Sequence, residues 1–291
     1  MNTVSFSQYS TWKTCPHQYK LKYIDKKSDF SGNIYTLYGT AMHETVQHYL
    51  DVMYNQTKKK ANDLDLEALL QERLIDNFKV ENEKFPNGEY ICTKDELEEF
   101  FYDGKLLLRW FKKNIGRLFI KQGRELVGIE VPLEVQIRPN LTFKGYIDVI
   151  IKEKIDNTYV IIDFKTATKS WGSWKKKDKT KDVQLMLYKK YYSELFGVPM
   201  DNIVVEFHVL KRKINEDAEF SIPRASKFAP SQGKTSINKA IKDFDFFVNT
   251  VFDEEGNQRI DTDYPKVPGD NKRNCKWCEF YERGICDGIP D

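Results

Sequence analysis

Hydrophobic positions recur along this chain with two different periods. Leu37, Met42, Val46, Tyr49, Leu50 and Met53 fall mostly three or four apart and predict a helix over residues 36–56. Residues 64–82 and 94–122 carry the same spacing. Ahead of them, Ser5 or Ser7 suits the cap of a helix bearing Tyr9 and Trp12, and Pro16 suits the start of a second. After Gly123 the period drops to two, and Val- and Ile-rich alternation predicts strands at 126–138, 141–153 and 158–167. A turn at Asp156–Asn157 separates the last two. Residues 181–196 return to helical spacing and stop at Gly197 and Pro199. A strand follows at 203–212, a helix at 233–252, and a loop-like stretch at 261–291. No internal repeat is present. This order predicts an α/β fold with a central mixed β-sheet flanked by helices. Residues 1–291 read as a single domain, with 36–125 a helical insertion and 126–212 the α/β core.

Composition narrows the picture. With 40% hydrophobic and 14% aromatic residues in 291, the chain has enough apolar mass for a core and is no disordered tail. Lys plus Arg number 46 and Asp plus Glu 44, a net charge of +2, so any nucleic-acid surface is a local patch. Glu81 to Asp103 holds eight acids against two lysines and reads as a solvated face averse to DNA. No apolar run approaches the ~18 residues of a membrane span. The opening MNTVSFSQYSTWK lacks the basic-then-apolar pattern of a secretory signal, so a cytoplasmic location is expected. The five cysteines, an odd number, argue against a disulfide framework.

The chemistry concentrates in GYIDVIIKEKIDNTYVIIDFKTA. Asp148 interrupts one apolar strand, and Asp163 lies near the end of the next. An acid among Ile and Val is costly unless compensated. Paired strands can bring both acids to one sheet edge, where two carboxylates suit a hard divalent cation. Lys165, two positions after Asp163, projects to the same strand face, and the Phe164 carbonyl between them offers a further oxygen. A cation, a lysine and a water at one edge are the parts of phosphodiester hydrolysis. An internal Asp–Lys ion pair at a strand end is the alternative, and spacing alone leaves both open.

These residues carry a resemblance. Gly145-Tyr-Ile-Asp148 followed by Ile162-Asp163-Phe164-Lys165 resembles the PD-(D/E)XK nuclease signature in its RecB-like branch. Gly39-Thr-Ala-Met-His43-Glu44 is similar to the helix-borne histidine motif of that branch, and Gln184-Leu-Met-Leu-Tyr188 to its Gln-x-x-x-Tyr motif. Cys15-Pro16, with Cys275-x-x-Cys278 and Cys286, resembles the iron–sulfur staple of AddB and the CRISPR-associated RecB-like nucleases. The motifs run in the expected order from residue 15 to 286, although the acid at 148 lacks the proline that names the superfamily.

The resemblance implies a restriction-endonuclease-like core. It implies His43, Asp148, Asp163 and the Phe164 carbonyl as ligands of Mg²⁺ or Mn²⁺, and Lys165 as the catalytic lysine. Gln184 and Tyr188 are implied as groups that position the substrate or the site, and Glu130 as an outer or second-metal acid. It implies a cysteine-ligated 4Fe–4S cluster in residues 1–30 plus 261–291, joining the termini. Four thiolates also suit zinc, and the spacing does not decide; His17 is a substitute ligand. Cys92 stands apart and is expected to be a free thiol. His48 and His208 are expected to be structural.

From Lys165 to Lys181 there are seven lysines and one acid, interleaved with tryptophans. Lysines neutralise phosphates and Trp faces stack on unpaired bases, so Lys169, Trp171, Trp174, Lys175, Lys176 and Lys177 are expected to contact DNA. A solvated lysine loop is the alternative. Lys211, Arg212 and Lys213 are weaker candidates. The resulting expectation is a metal-dependent deoxyribonuclease, an exonuclease on single-stranded or frayed ends. It would serve DNA repair or recombination with a helicase or recombination partner. The competing expectation is a non-catalytic nucleic-acid-binding iron–sulfur or zinc subunit of a helicase–nuclease complex. No Gly-x-x-x-x-Gly-Lys-Ser/Thr loop is present, so the chain is not itself a P-loop helicase.

Overall fold

A computed structural model describes residues 1–28, 32–83, 90–172, 178–215 and 222–290. Its centre is a six-stranded mixed sheet. The strands are β1 (Asn2–Val4), β2 (Arg124–Arg138), β3 (Leu141–Glu153), β4 (Thr158–Ala167), β5 (Ile203–Lys211) and β6 (Ala225–Phe228). β2 runs antiparallel along the whole length of β3, from Arg124↔Glu153 to Arg138↔Leu141. The other edge of β3 is shared. β1 pairs with it in parallel at Leu141–Phe143, and β4 pairs with it antiparallel at Val149–Glu153. Residues 144–148 of that edge therefore have no strand beside them. β4 continues past this split paired only with β5, in parallel, and β6 closes the far side antiparallel.

Helices cover both faces. On one lie α3 (Ile34–Asp51), α5 (Leu66–Asn82) and α6 (Lys94–Leu118), with the short α4 (Lys58–Asp63) between α3 and α5. Leu37, Met42, Leu50, Leu70, Leu107 and Phe111 pack there against Val149, Ile151, Ile162 and Phe164 of the sheet. Local capping explains where these helices start. The Asn33 side chain accepts from the N–H groups of Tyr35 and Thr36, and Thr93 with Glu96 forms a reciprocal capping box.

The other face holds α1 (Phe6–Thr14), α2 (Pro16–Tyr19), α7 (Thr180–Phe196) and α8 (Lys234–Val251). Ser5 caps α1 and Pro16 opens α2. α7 ends on Gly197 at φ +66°, the left-handed stop. Tyr9, Tyr19, Phe244 and Phe247 form an aromatic cluster there, with Tyr9–Phe247 and Tyr19–Phe247 meeting edge to face at 5.8 and 5.6 Å. The last described element is α9 (Glu279–Glu282). No described helix is long and apolar enough to cross a membrane.

Candidate active site at the split in the sheet

The β3–β4 ladder ends at the pair Val149↔Ile162. The next residues on the two strands are Asp148 and Asp163. Asp148 takes over where the ladder stops: its Oδ2 accepts from the Phe164 N–H at 2.6 Å, the backbone donor that a continued strand would have used. Alternation then sorts the side chains. Gly145 faces α7, where an added Cβ would lie 3.0 Å from the Tyr188 ring. Alternation breaks just beyond: Ile147 packs in the α7-side core and Val149 in the α3-side core, so β3 turns over at Asp148. Phe164 also faces α3, while Asp163 and Lys165 face α7. The split lets groups from both faces meet.

From the α3 side comes His43, whose Nδ1 lies 3.6 Å from Asp148 Oδ2 and whose ring packs 5.8 Å from that of Phe164. From the α7 side, Lys165 Nζ sits 2.8 Å from Asp163 Oδ2 and donates to Gln184 Oε1 at 3.0 Å. Gln184 in turn donates to the Tyr188 hydroxyl at 2.9 Å. Gln184 and Tyr188 are one turn apart on α7, so a single helix face presents both.

The electrostatics follow from burial. Asp163 is 2% exposed, and burial raises its carboxyl above the usual range, with Lys165 opposing. Asp148 is raised well above that range by burial first and by the charge of Asp163 second, while the Phe164 N–H and Lys165 oppose. His43 is pushed down to about 3 by burial and then by Lys165, so its imidazole is neutral and able to act as a ligand. The Tyr188 hydroxyl is raised by burial and by Asp163.

The donor chemistry fits a hard divalent cation. Two carboxylates are held together at a cost that a cation would relieve. His43 Nε2 is buried with no hydrogen-bond partner, and its Nδ1 is too far from Asp148 for a good hydrogen bond. No group of three His, Cys, Asp or Glu among the described residues forms a ready cage around one ion. One reason is visible in the geometry: Lys165 holds the Asp163 oxygen.

These features agree with a comparison against family models. Residues 3–287 match the PD-(D/E)XK nuclease superfamily. The chain belongs to this superfamily. Its members are mostly nucleases, and they typically use Mg²⁺ or Mn²⁺. No curated protein matches the chain. The α/β/α layering with a mixed sheet is consistent with the restriction-endonuclease-like fold of the superfamily.

The remaining expected residues of this PD-(D/E)XK protein fall in three places. Cys15, Cys275, Cys278 and Cys286 line one cavity at the meeting of α2 with residues 266–288, and His17 lines it too. Gly288, at φ +64°, keeps that space open: a Cβ there would lie 3.1 Å from Cys275 Sγ. Cys92 is a free thiol, buried in the core under α3 and α6 rather than in a solvated stretch. Trp174, Lys175, Lys176 and Lys177 lie outside the described residues.

Of the other expected DNA contacts, Lys169 is exposed. Trp171 is buried at 6% exposure against Phe207 and Phe228, with Lys181 over its ring at 4.7 Å, and has no face for a base. Lys211 and Arg212 are buried as well, and Arg212 pairs with Asp103 at 2.5 Å and Glu99 at 3.0 Å. Lys213 pairs with the same Glu99 at 2.6 Å, so Arg212 and Lys213 brace α6 against the end of β5. His208 is structural in its contacts: it is buried, bonds Glu206 at 2.6 Å and touches the rings of Phe119 and Phe164. Sequence reasoning missed Gln47, a buried polar residue on α3 that bonds Glu130, because a lone Gln in a helix carries no spacing signal.

Proposed function

We propose that the chain is a metal-dependent DNA nuclease acting as an exonuclease on single-stranded or frayed ends. The observation that carries this reading is the meeting of Asp148, Asp163, Lys165 and His43 across the split in the sheet. His43, Asp148, Asp163 and the Phe164 carbonyl would hold Mg²⁺ or Mn²⁺. Such a cation supplies charge stabilisation for a phosphoryl oxygen and acidifies water. Lys165 would orient the attacking water and help its deprotonation by stabilising the charge that develops. Gln184 holds the Lys165 ammonium, and Tyr188 holds Gln184.

A single-stranded substrate is supported by Tyr146. It is 54% exposed and lies two positions before Asp148 on β3, about 7 Å along the strand. An exposed ring at that distance offers a base a stacking surface that Trp171 does not.

The same reading gives Cys15, Cys275, Cys278 and Cys286 a 4Fe–4S cluster. A single zinc draws its sulfurs to about 2.3 Å from one point. All four thiols border one cavity, which supports a shared metal centre there, with zinc the alternative occupant. The cluster would be structural, since hydrolysis transfers no electrons. A repair or recombination role beside a helicase is the cellular setting we infer.

The test is cleavage of end-labelled single-stranded and duplex DNA with and without Mn²⁺. We expect processive loss of label from the single strand, and a fall of about 10²–10³-fold in Lys165→Ala, the size of losing one transition-state donor. Metal-independent cleavage, or a Lys165→Ala protein as fast as the wild type, refutes the assignment.

A further inference from the structure

Gln47 sits one turn after His43 on α3 and is 4% exposed. Its amide donates twice, to Glu130 Oε1 at 2.6 Å and to the backbone oxygen of Asp148 at 3.2 Å. Those two acceptors lie on different strands, β2 and β3. The neighbouring pairs Ile129↔Val149 and Val131↔Ile147 place Glu130 directly across from Asp148, yet the ladder skips that pair.

The reason is the backbone of Glu130, which stands at φ +49° in the middle of a strand. A non-glycine residue there costs roughly 1–2 kcal/mol and breaks the ladder locally. The Asp148 carbonyl would otherwise lack a strand partner, and Gln47 supplies the donor. The strain turns the Glu130 carboxylate toward α3, close enough for its charge to raise the Asp148 carboxyl. One buried amide thus ties together the helix of His43, the strand of Asp148 and the strand of Glu130.

We propose that Gln47 is a positioning residue for the cation site: it holds Glu130 in its strained conformation and fixes the Asp148 backbone relative to His43. The proposal rests on the reading of this site as cation-binding. Gln47 does not touch the reacting groups. It acts by setting the spacing between donors carried on three separate elements, and it makes Glu130 part of that set.

Calorimetric Mn²⁺ titration of the DNA-free protein tests this, with the melting temperature of each variant measured alongside. Gln47→Leu is expected to weaken Mn²⁺ binding by about tenfold or more, the usual effect of removing a group that orients metal ligands. Gln47→Asn keeps a buried amide one methylene too short for Glu130, and is expected to lose affinity even where Gln47→Leu fails to fold. Glu130→Ala is expected to lose a similar amount, and the Gln47→Asn/Glu130→Ala double variant no more than the worse single change, because both act through one contact. Cleavage by Gln47→Asn should recover at high Mn²⁺.

Wild-type Mn²⁺ affinity in a folded Gln47 variant overturns the proposal, as does full additivity in the double variant. A lowered melting temperature with unchanged affinity would reduce Gln47 to a packing role and also overturns it. Failure of the wild-type protein itself to bind Mn²⁺ overturns the cation reading, and that outcome is distinguishable because it precedes any mutation.

Discussion

At the residue scale, the site stores free energy in two buried acids. Asp148 and Asp163 both have raised carboxyls in the folded chain, so the native state holds protons more tightly than the unfolded one. Their contribution to stability is full below the ordinary carboxylate range and is lost as pH rises through the raised values. Metal-free protein should therefore melt lower as pH climbs from acid toward neutral. Asp148→Asn keeps an oxygen for the Phe164 N–H but removes the charge. It should raise the metal-free melting temperature at neutral pH by about 2 °C, near 1 kcal/mol, while abolishing cleavage. Scanning calorimetry without metal checks this, and a lower melting temperature at neutral pH would show that Asp148 is held favourably as an anion.

The acids were legible in the sequence because a charge within an Ile-Val run is conspicuous, and Lys165 because strands alternate. The strained Glu130 was not. Backbone conformation at a single position leaves no mark on composition, and its partner Gln47 sits in an ordinary amphipathic helix.

At the element scale, the long periodic segments were readable to within a few residues. The predicted helix at 181–196 is α7, Thr180–Phe196, and the predicted strand at 203–212 is β5, Ile203–Lys211. β1 and β6 went unread because three or four residues cannot display a period. The same holds for the π-helical turns Lys20–Ile24 and Val52–Gln56, which continue α2 and α3 with a different ladder. The basic end of β5 was misjudged for another reason: a Lys-Arg-Lys run reads as surface until its acids are located.

Those acids lie on α6, more than a hundred residues earlier, and they turn Arg212 into a brace. Its guanidinium also stacks 3.8 Å over the Phe100 ring. Arg212→Ala would leave Asp103 buried without its partner. Unfolding in urea should show a loss of about 3 kcal/mol, the cost of breaking a buried ion pair from one side. DNA affinity per folded molecule should be unchanged.

At the scale of the whole molecule, one cavity gathers cysteines from the two ends of the chain. Backbone contacts run beside it: His17 N–H donates to the Pro265 carbonyl at 3.2 Å, and the Asn274 amide donates to the Thr14 carbonyl at 3.1 Å. A bound cluster would add its binding energy to this junction. Cys278→Ser should thus lower stability and solubility first, with activity lost as a consequence, and Cys92→Ser should not affect the junction. Iron and sulfide assays on protein prepared without oxygen provide the check. Colourless protein with one tight zinc would replace the cluster while keeping the ligands.

The same junction sets a timetable for biosynthesis. β1 pairs with residues 141–143, and the Asn2 side chain bonds the carbonyl of Gly256. Tyr9 and Tyr19 reach across the chain to Phe244 and Phe247 of α8. β1 and α1 are therefore synthesised well before the residues they pack against. At about 5–20 residues per second, the interval between the emergence of Cys15 and Cys286 is roughly 14–54 s. Until α8 is made, the aromatic face of α1 and α2 lacks Phe244 and Phe247. Folding in the cell must keep that face from other chains until α8 has emerged.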